Sequence, residues 1–124
     1  MELNILPERF AICRLRAEEA LPAWAAGSSF SSITRSPSEL SIVCEEKCVP
    51  AGVRAERDQR GLKVRGLLLF SATGVLSSLA VPLAEAKISI FAVSTYDTDY
   101  LLVKEENLEK AVTVLSRNGY QIQS

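Results

Sequence analysis

The sequence contains no histidine. That absence excludes Ser-His-Asp and Cys-His catalysis, histidine-ligated zinc and a histidine pH switch. It leaves carboxylate-only metal sites, lysine chemistry and binding without chemistry. Excess charge is missing too: 14 basic residues stand against 15 acidic ones, a net charge of −1. A near-neutral chain has no bulk electrostatic reason to hold nucleic acid or anionic lipid. Cysteine is scarce. Cys13, Cys44 and Cys48 are an odd number and do not form a secretory disulfide framework. The spacing Cys44-x-x-x-Cys48 is not C-x-x-C, and no second ligand pair accompanies it, so the thiols read as buried or incidental. The first ten residues lack a basic segment followed by a long apolar one. A reducing, cytoplasmic setting without a signal peptide is the expectation.

What is present suits a globular protein. The 124 residues are 48% apolar and 23% charged, which argues for one compact chain and against a disordered tail or a fibrous repeat. From Leu67 to Ala84, 18 residues carry no charge, at the lower limit for a spanning helix. Ser71, Thr73, Ser77 and Ser78 interrupt the run, as do Gly74 and Pro82, and its period changes midway. A strand at 62–70 followed by a core helix at 75–86 explains it better, and no membrane partner is expected.

The C-terminal half is the clearer one. After the 62–70 strand, Ser71-Ala72-Thr73-Gly74 offers hydroxyl caps for the helix at 75–86, whose Leu76, Leu79, Ala80 and Leu83 share one face. Pro82 should kink that helix or shorten its last turn. Residues 88–94 and 99–104 read as strands around the polar linker Thr95-Tyr96-Asp97-Thr98. Leu108, Ala111, Val112 and Leu115 define a helix over 105–118, with Glu105 and Glu106 at its positive end, Arg117 at its negative end and Gly119 as its stop. A last strand at 120–123 completes the order βαββαβ. That is the ferredoxin-like arrangement, an antiparallel sheet with two helices on one face.

The N-terminal half repeats this plan in a worn form. Residues 10–15, 30–34 and 40–44 read as strands, and 21–26 as a short helix anchored by Trp24 and ended by Gly27. Arg35-Ser36-Pro37-Ser38 reads as a turn. Phe30 falls on Phe91, Thr34 on Thr95, Glu39 on Asp99, Val43 on Val103, and Glu45-Glu46 on Glu105-Glu106, if the first turn carries one extra residue. This favours a degenerate internal duplication joined by a polar stretch over 50–61. The expected fold class is α+β: two ferredoxin-like units in one chain, residues 1–60 degenerate and 61–124 complete.

Three strings carry a resemblance: Phe10 to Leu15, FSSITRSPSELSIVCEE at 30–46, and LLLFSATGVLSSLAVPLAEAKISIFAVSTYDTDYLLVKEENL at 67–108. They look like the small bacterial proteins built from two ACT-like units, related to the ACT modules of CASTOR, the cytosolic arginine sensor. The resemblance runs from about Leu3 to Tyr120, and its most specific string is Ser89 to Val103. It implies ACT-type units that bind and sense a small molecule, most often a free amino acid, at an interface between units, without catalysis. It places the ligand site on the loop Ser71, Thr73, Gly74 and Val75 and on the turn Thr95, Tyr96, Thr98 and Asp99. In that loop the sensor carries an acidic residue, where this chain has Ser71-Ala72. The sensor also has more ACT units, which implies that this chain pairs as a homodimer.

Residue chemistry is compatible with such a site. Asp99 can accept from a ligand ammonium, in a charge-assisted bond of roughly 1.5–3 kcal/mol. The start of the helix after Thr73 presents free N–H groups to a carboxylate, and Gly74 permits close approach. The plainer reading makes Asp97 and Asp99 solvated turn residues. Asp97-x-Asp99 could also be a magnesium pair, but no phosphate cradle accompanies it. No metal or cofactor is expected. The basic stretch from Arg54 to Arg65 has no interleaved aromatic residue; it reads as a solvated linker and strand face, with no nucleic-acid partner. Arg35, laid against Tyr96, could reach a ligand across the unit interface or remain a surface turn residue. The alternative function is a protein-interaction adaptor that has lost ligand binding. An enzyme would lack an acid/base pair.

Overall fold

The computed structural model describes residues 1–65 and 74–124. The elements in chain order are β1 (Glu2–Leu15), a 3₁₀ helix (Ala23–Gly27), β2 (Ser31–Arg35), β3 (Leu40–Glu45), a 3₁₀ turn (Glu46–Cys48) and β4 (Ala55–Val64). They continue with α1 (Val75–Glu85), β5 (Phe91–Ser94), β6 (Asp99–Lys104), a 3₁₀ turn (Glu105–Asn107), α2 (Leu108–Arg117) and β7 (Gln121–Gln123). The fold is mixed α/β. Contacts divide the chain into two units: residues 8–59, and residues 1–7 together with 60–124. β1 and β4 are long enough to contribute to both. The end of the expected 62–70 strand and the loop positions Ser71 and Thr73 lie outside the described residues.

In the unit of residues 8–59 the strand order is β2-β3-β1-β4. β1 pairs antiparallel with β3 from Phe10↔Glu45 to Leu15↔Leu40, and β3 with β2 from Ser31↔Cys44 to Arg35↔Leu40. Ala11, Cys13, Leu40, Ile42 and Cys44 point to one core, closed by Ala25 and Val49. Trp24 packs against it from the 3₁₀ helix. That helix stands where a short helix is expected at 21–26, and it is 3₁₀. It starts after extended Pro22 and has five residues, too few for the i→i+4 ladder to repay its nucleation. On other side chains of β1, Phe10 meets Phe30 edge to face at 5.7 Å, a favourable aromatic geometry.

The expected join over 50–61 is corrected: from Ala55 onward it is β4. Its first half, Ala-Glu-Arg-Asp, alternates half-buried and exposed positions, the mark of a strand with one solvated face. The charges that suggest a linker are that solvated face. Core-facing positions are odd-numbered at Val53 and Ala55 and even-numbered at Leu62 and Val64. Asp58, at φ 61°, lies between them; aspartate tolerates this left-handed conformation better than most residues. Likewise β1 begins well before the expected residue 10, because Leu3 and Ile5 also face a core.

In the other unit the strand order is β7-β1-β4-β6-β5. β7 runs parallel to the start of β1, from Glu2↔Gln121 to Asn4↔Gln123. Leu3, Leu62, Val64, Leu101 and Val103 from the strands meet Leu79 and Leu83 of α1 and Ala111 and Leu115 of α2. Of the positions that define the expected helix faces, Leu76, Leu79, Leu83, Leu108, Ala111 and Leu115 lie in or against this core, whereas Ala80 and Val112 are only half-buried and Val114 packs there instead. α1 keeps its helical course through Pro82 and ends at Glu85. Residues 86–88 remain tied to it: the N–H groups of Ala86, Lys87 and Ile88 donate to Pro82, Ala84 and Leu83. Those bonds explain why β5 begins at Phe91 and not at residue 88.

The two hairpin turns share one hydrogen-bond pattern. The Thr95 N–H donates to the Thr98 carbonyl at 2.8 Å, and the Thr98 N–H donates back to Thr95 Oγ1 at 3.2 Å. The Ser36 N–H donates to the Glu39 carbonyl at 2.9 Å, and the Glu39 N–H to Ser36 Oγ at 3.2 Å. Ser36 therefore corresponds to Thr95 and Glu39 to Thr98, and Glu46–Cys48 corresponds to Glu105–Asn107. No extra residue is needed. This corrects the register read from residue identities, and Arg35 corresponds to Ser94, not to Tyr96.

Candidate functional site

The 95–99 turn is tied to the end of β4. Thr98 is 5% exposed, and its hydroxyl donates to the Val64 carbonyl at 3.0 Å. That carbonyl lies just before the stretch leading to Gly74 and α1. The turn is thus fastened to the end of that strand. Thr95 closes the turn through its own hydroxyl, 3.1 Å from the Thr98 carbonyl. Tyr96, at 77% exposed, stands out from its tip. Asp99 is half-buried and begins β6 opposite Ser94. Thr98→Val should destabilise the fold by about 1–3 kcal/mol, the cost of a buried acceptor left without its donor. Urea titration reads this as a lower midpoint, and Thr98→Ser, which keeps the hydroxyl, should recover most of it.

Gly74 is the N-cap of α1 and sits in the left-handed region at φ 78°. Gly74 has no side chain to cap the helix, and the hydroxyl caps expected at Ser71 and Thr73 lie outside the described residues. A side chain at 74 would be strained by the positive φ alone. The Gly74 carbonyl already accepts from the Ser78 N–H at 2.9 Å and from Ser77 Oγ at 3.1 Å. The first N–H groups of α1 have no intrahelical acceptor, as in any helix. They are the donors a small anionic group would use.

Arg35 is placed elsewhere. Its guanidinium donates to the carbonyls of Ala17 and Glu19, the latter at 2.8 Å. It braces the loop after β1 within the 8–59 unit. Arginines of β4 and just beyond it are engaged as well: Arg57 donates to the Pro50 carbonyl, Arg60 pairs with Glu105 at 3.0 Å, and Arg65 with Glu2 at 2.9 Å.

Two features escape the sequence reading. One is a surface pocket of about 530 Å³ where Ser77, Val81, Pro82 and Glu85 of α1 face Asn118 and Tyr120. No residue spacing announces it, because its two walls are far apart in the chain. The other is Glu45, only 4% exposed. Its carboxylate accepts from the Ser29 hydroxyl and from the Ser29 N–H at 3.3 Å. The Ser29 hydroxyl, then the Ser29 N–H and Lys47, hold its carboxyl below the ordinary range, against burial, which raises it. A depressed folded value gives stability that is present above the unfolded value, near 4.5, and lost as pH falls through the folded value. The wild-type advantage over Glu45→Gln in urea midpoint should therefore be full at neutral pH and shrink as acid is added below pH 4.5. At Cys44 burial prevails, and the thiol is pushed up to about 12. A thiol so protonated is inert as a nucleophile.

Known proteins add a family to this geometry. A family model described as the ACT domain matches residues 54–117, and a model of an N-terminal domain matches residues 8–52. A protein of Agobacterium tumefaciens, known from its crystal structure, is 43% identical with a TM-score of 0.92 over 98% of this chain and 90% of that one. The regulatory subunit of aspartate kinase from Thermus thermophilus, in a ligand-free form, shares the fold at a TM-score of 0.61 and 14% identity, over 92% of this chain and 95% of that one. The cytosolic arginine sensor for mTORC1 subunit 1 of Bos taurus is 40% identical over 45 residues, 36% of this chain. That match spans 14% of the sensor's length.

Proposed function

The chain belongs to the ACT domain family, and from that premise we propose that it is a regulatory module that senses a free amino acid and leaves it unchanged. ACT domains are regulatory, and both the aspartate kinase regulatory fold and the short arginine-sensor match agree with that role. The strand order β2-β3-β1-β4, compatible with a ferredoxin-like unit, supports reading residues 8–59 as an ACT-type unit with its helices reduced to 3₁₀ turns, whereas in the other unit β1 stands between β7 and β4 and interrupts that order. The ligand would lie between the 71–75 loop and the 95–99 turn. Asp99 would accept from its ammonium, the first N–H groups of α1 would hold its carboxylate, and Tyr96 would cover its side chain. Thr95 and Thr98 hold the turn in place.

The observation that carries this reading is the Thr98–Val64 hydrogen bond, which fixes the turn against the end of β4. A site on rigid elements needs little ordering when its ligand arrives. The same bond favours a second reading. Thr95 and Thr98 spend their hydroxyls internally, as they would in an adaptor that keeps only its packing role. Calorimetric titration with each free amino acid separates the two. Sensing requires saturable binding of one or a few of them, lost in Asp99→Asn with the unliganded melting temperature nearly unchanged. An adaptor binds none.

A further inference from the structure

We propose that Asn118 is a site of spontaneous modification: the Gly119 nitrogen displaces its side-chain amide, and the product loosens the connection between α2 and β7. Of the three asparagines only Asn118 precedes glycine; Asn4 precedes Ile5, and Asn107 precedes Leu108. A bulky following residue hinders attack by its own main-chain nitrogen, and glycine does not. A Cβ at 119 would meet nothing within 4 Å, and both residues are exposed, so solvent reaches the reacting atoms. Asparagine is among the thermolabile side chains.

The step balances with water alone. Solvent hydroxide removes the Gly119 N–H proton. The nitrogen bonds to Asn118 Cγ, the Cγ–Nδ2 bond breaks, and Nδ2 takes a proton from water and leaves as ammonia. Water then opens the five-membered imide at either carbonyl. One opening gives aspartate. The other gives isoaspartate, whose main chain runs through Cβ and is one atom longer.

The native turn gates this reaction. The Gly119 N–H donates to the Ser116 carbonyl at 3.1 Å, and Asn118 Nδ2 donates to the Val114 carbonyl at 2.8 Å. Ring closure also needs Cβ, Cα, C and the Gly119 nitrogen near one plane, which Asn118 at ψ 15° does not provide. The last turn of α2 must therefore open first, and helix ends open at low cost. The product cannot restore the turn. A carboxylate has no hydrogen for the Val114 carbonyl, and its charge is unfavourable at a helix C-terminus, even with Arg117 in that turn. β7 follows at once, paired with β1 from Glu2↔Gln121 to Asn4↔Gln123, and the Gln121 N–H donates to the Met1 carbonyl at 3.0 Å. A longer main chain shifts β7 within that pairing.

Ageing the full chain at mildly alkaline pH, in buffer and in urea above its unfolding midpoint, tests the proposal by peptide mass spectrometry. Conversion at Asn118 is expected in both, several-fold slower in buffer, with Asn4 and Asn107 intact. The converted fraction, separated by its added negative charge, should exchange amide hydrogens faster at 121–123 than fresh chain. Asn118→Gln, which would have to close a six-membered ring, should stay unmodified and keep the slower exchange. Asn118→Asp carries the charge without the rerouted main chain, so its exchange should rise less than that of the isoaspartate form. A chain intact at Asn118 in buffer while the unfolded chain converts overturns the proposal. So do equal rates in buffer and urea, equal conversion at Asn4 or Asn107, or converted chain with unchanged exchange.

Discussion

Leu101→Ala should cost about 2–5 kcal/mol of stability, the range for deleting a buried leucine side chain. Leu101 is 1% exposed on β6. It packs in the same cluster as Leu79 and Leu83 of α1 and Leu115 of α2. Cutting back the side chain opens a cavity in this apolar cluster, where no water is stabilised by polar partners. Urea unfolding should show a lower midpoint at an unchanged slope, because the same surface is exposed on unfolding. Val81→Ala is the control. Val81 is 54% exposed, so its truncation should stay within about 0.5 kcal/mol. A loss at Leu101 no larger than the control would contradict this packing.

Glu105→Ala should cost about 1–3 kcal/mol, less than a fully buried pair because water reaches both partners. Glu105 Oε2 lies 3.0 Å from Arg60 Nη1, with side chains 32% and 18% exposed. Arg60 is already poorly served. Its Nη2 reaches the Leu6 carbonyl at 3.4 Å, and its buried Nε has no hydrogen-bond partner. Removing Glu105 strips the guanidinium of its counter-charge and leaves it confined. Arg60→Met in the same chain should then restore part of the loss, since the uncompensated charge goes with it. A double-mutant cycle measures the coupling directly. Strict additivity would show that the pair contributes nothing beyond its members.

Sequence patterning recovers this fold best where one period persists. α2 is legible because Leu108, Ala111 and Leu115 repeat at helical spacing, although its first turn is 3₁₀ and Val114 also packs on the core. β6 keeps its expected bounds. β4 is illegible over 55–61 because half of a two-faced strand is charged, and Asp58 breaks the alternation where the parity changes. The early part of β1 contains Pro7, which lies within the strand. Its missing N–H makes it rare away from strand edges. The internal register misleads for another reason. Residue identities align Thr34 with Thr95, whereas the shared turn bonds align Ser36 with Thr95, and hydrogen bonding leaves only a weak trace in residue type.

The candidate site is legible in outline. The 95–99 turn and Gly74 stand out as polar or flexible punctuation, but the tie from Thr98 to Val64 links residues far apart in the chain. Glu45 gives no local signal at all. Its role depends on Ser28 and Ser29, which approach only when β2 and β3 pair. Arg35 looks free in the sequence and is engaged with two carbonyls.

Backbone amide shifts during titration with a free amino acid that binds test the central claim most directly. The expected result is saturable change concentrated at Gly74 to Ser77 and Thr95 to Asp99, absent in Asp99→Asn. Changes confined to other segments, or none with any free amino acid, would contradict it.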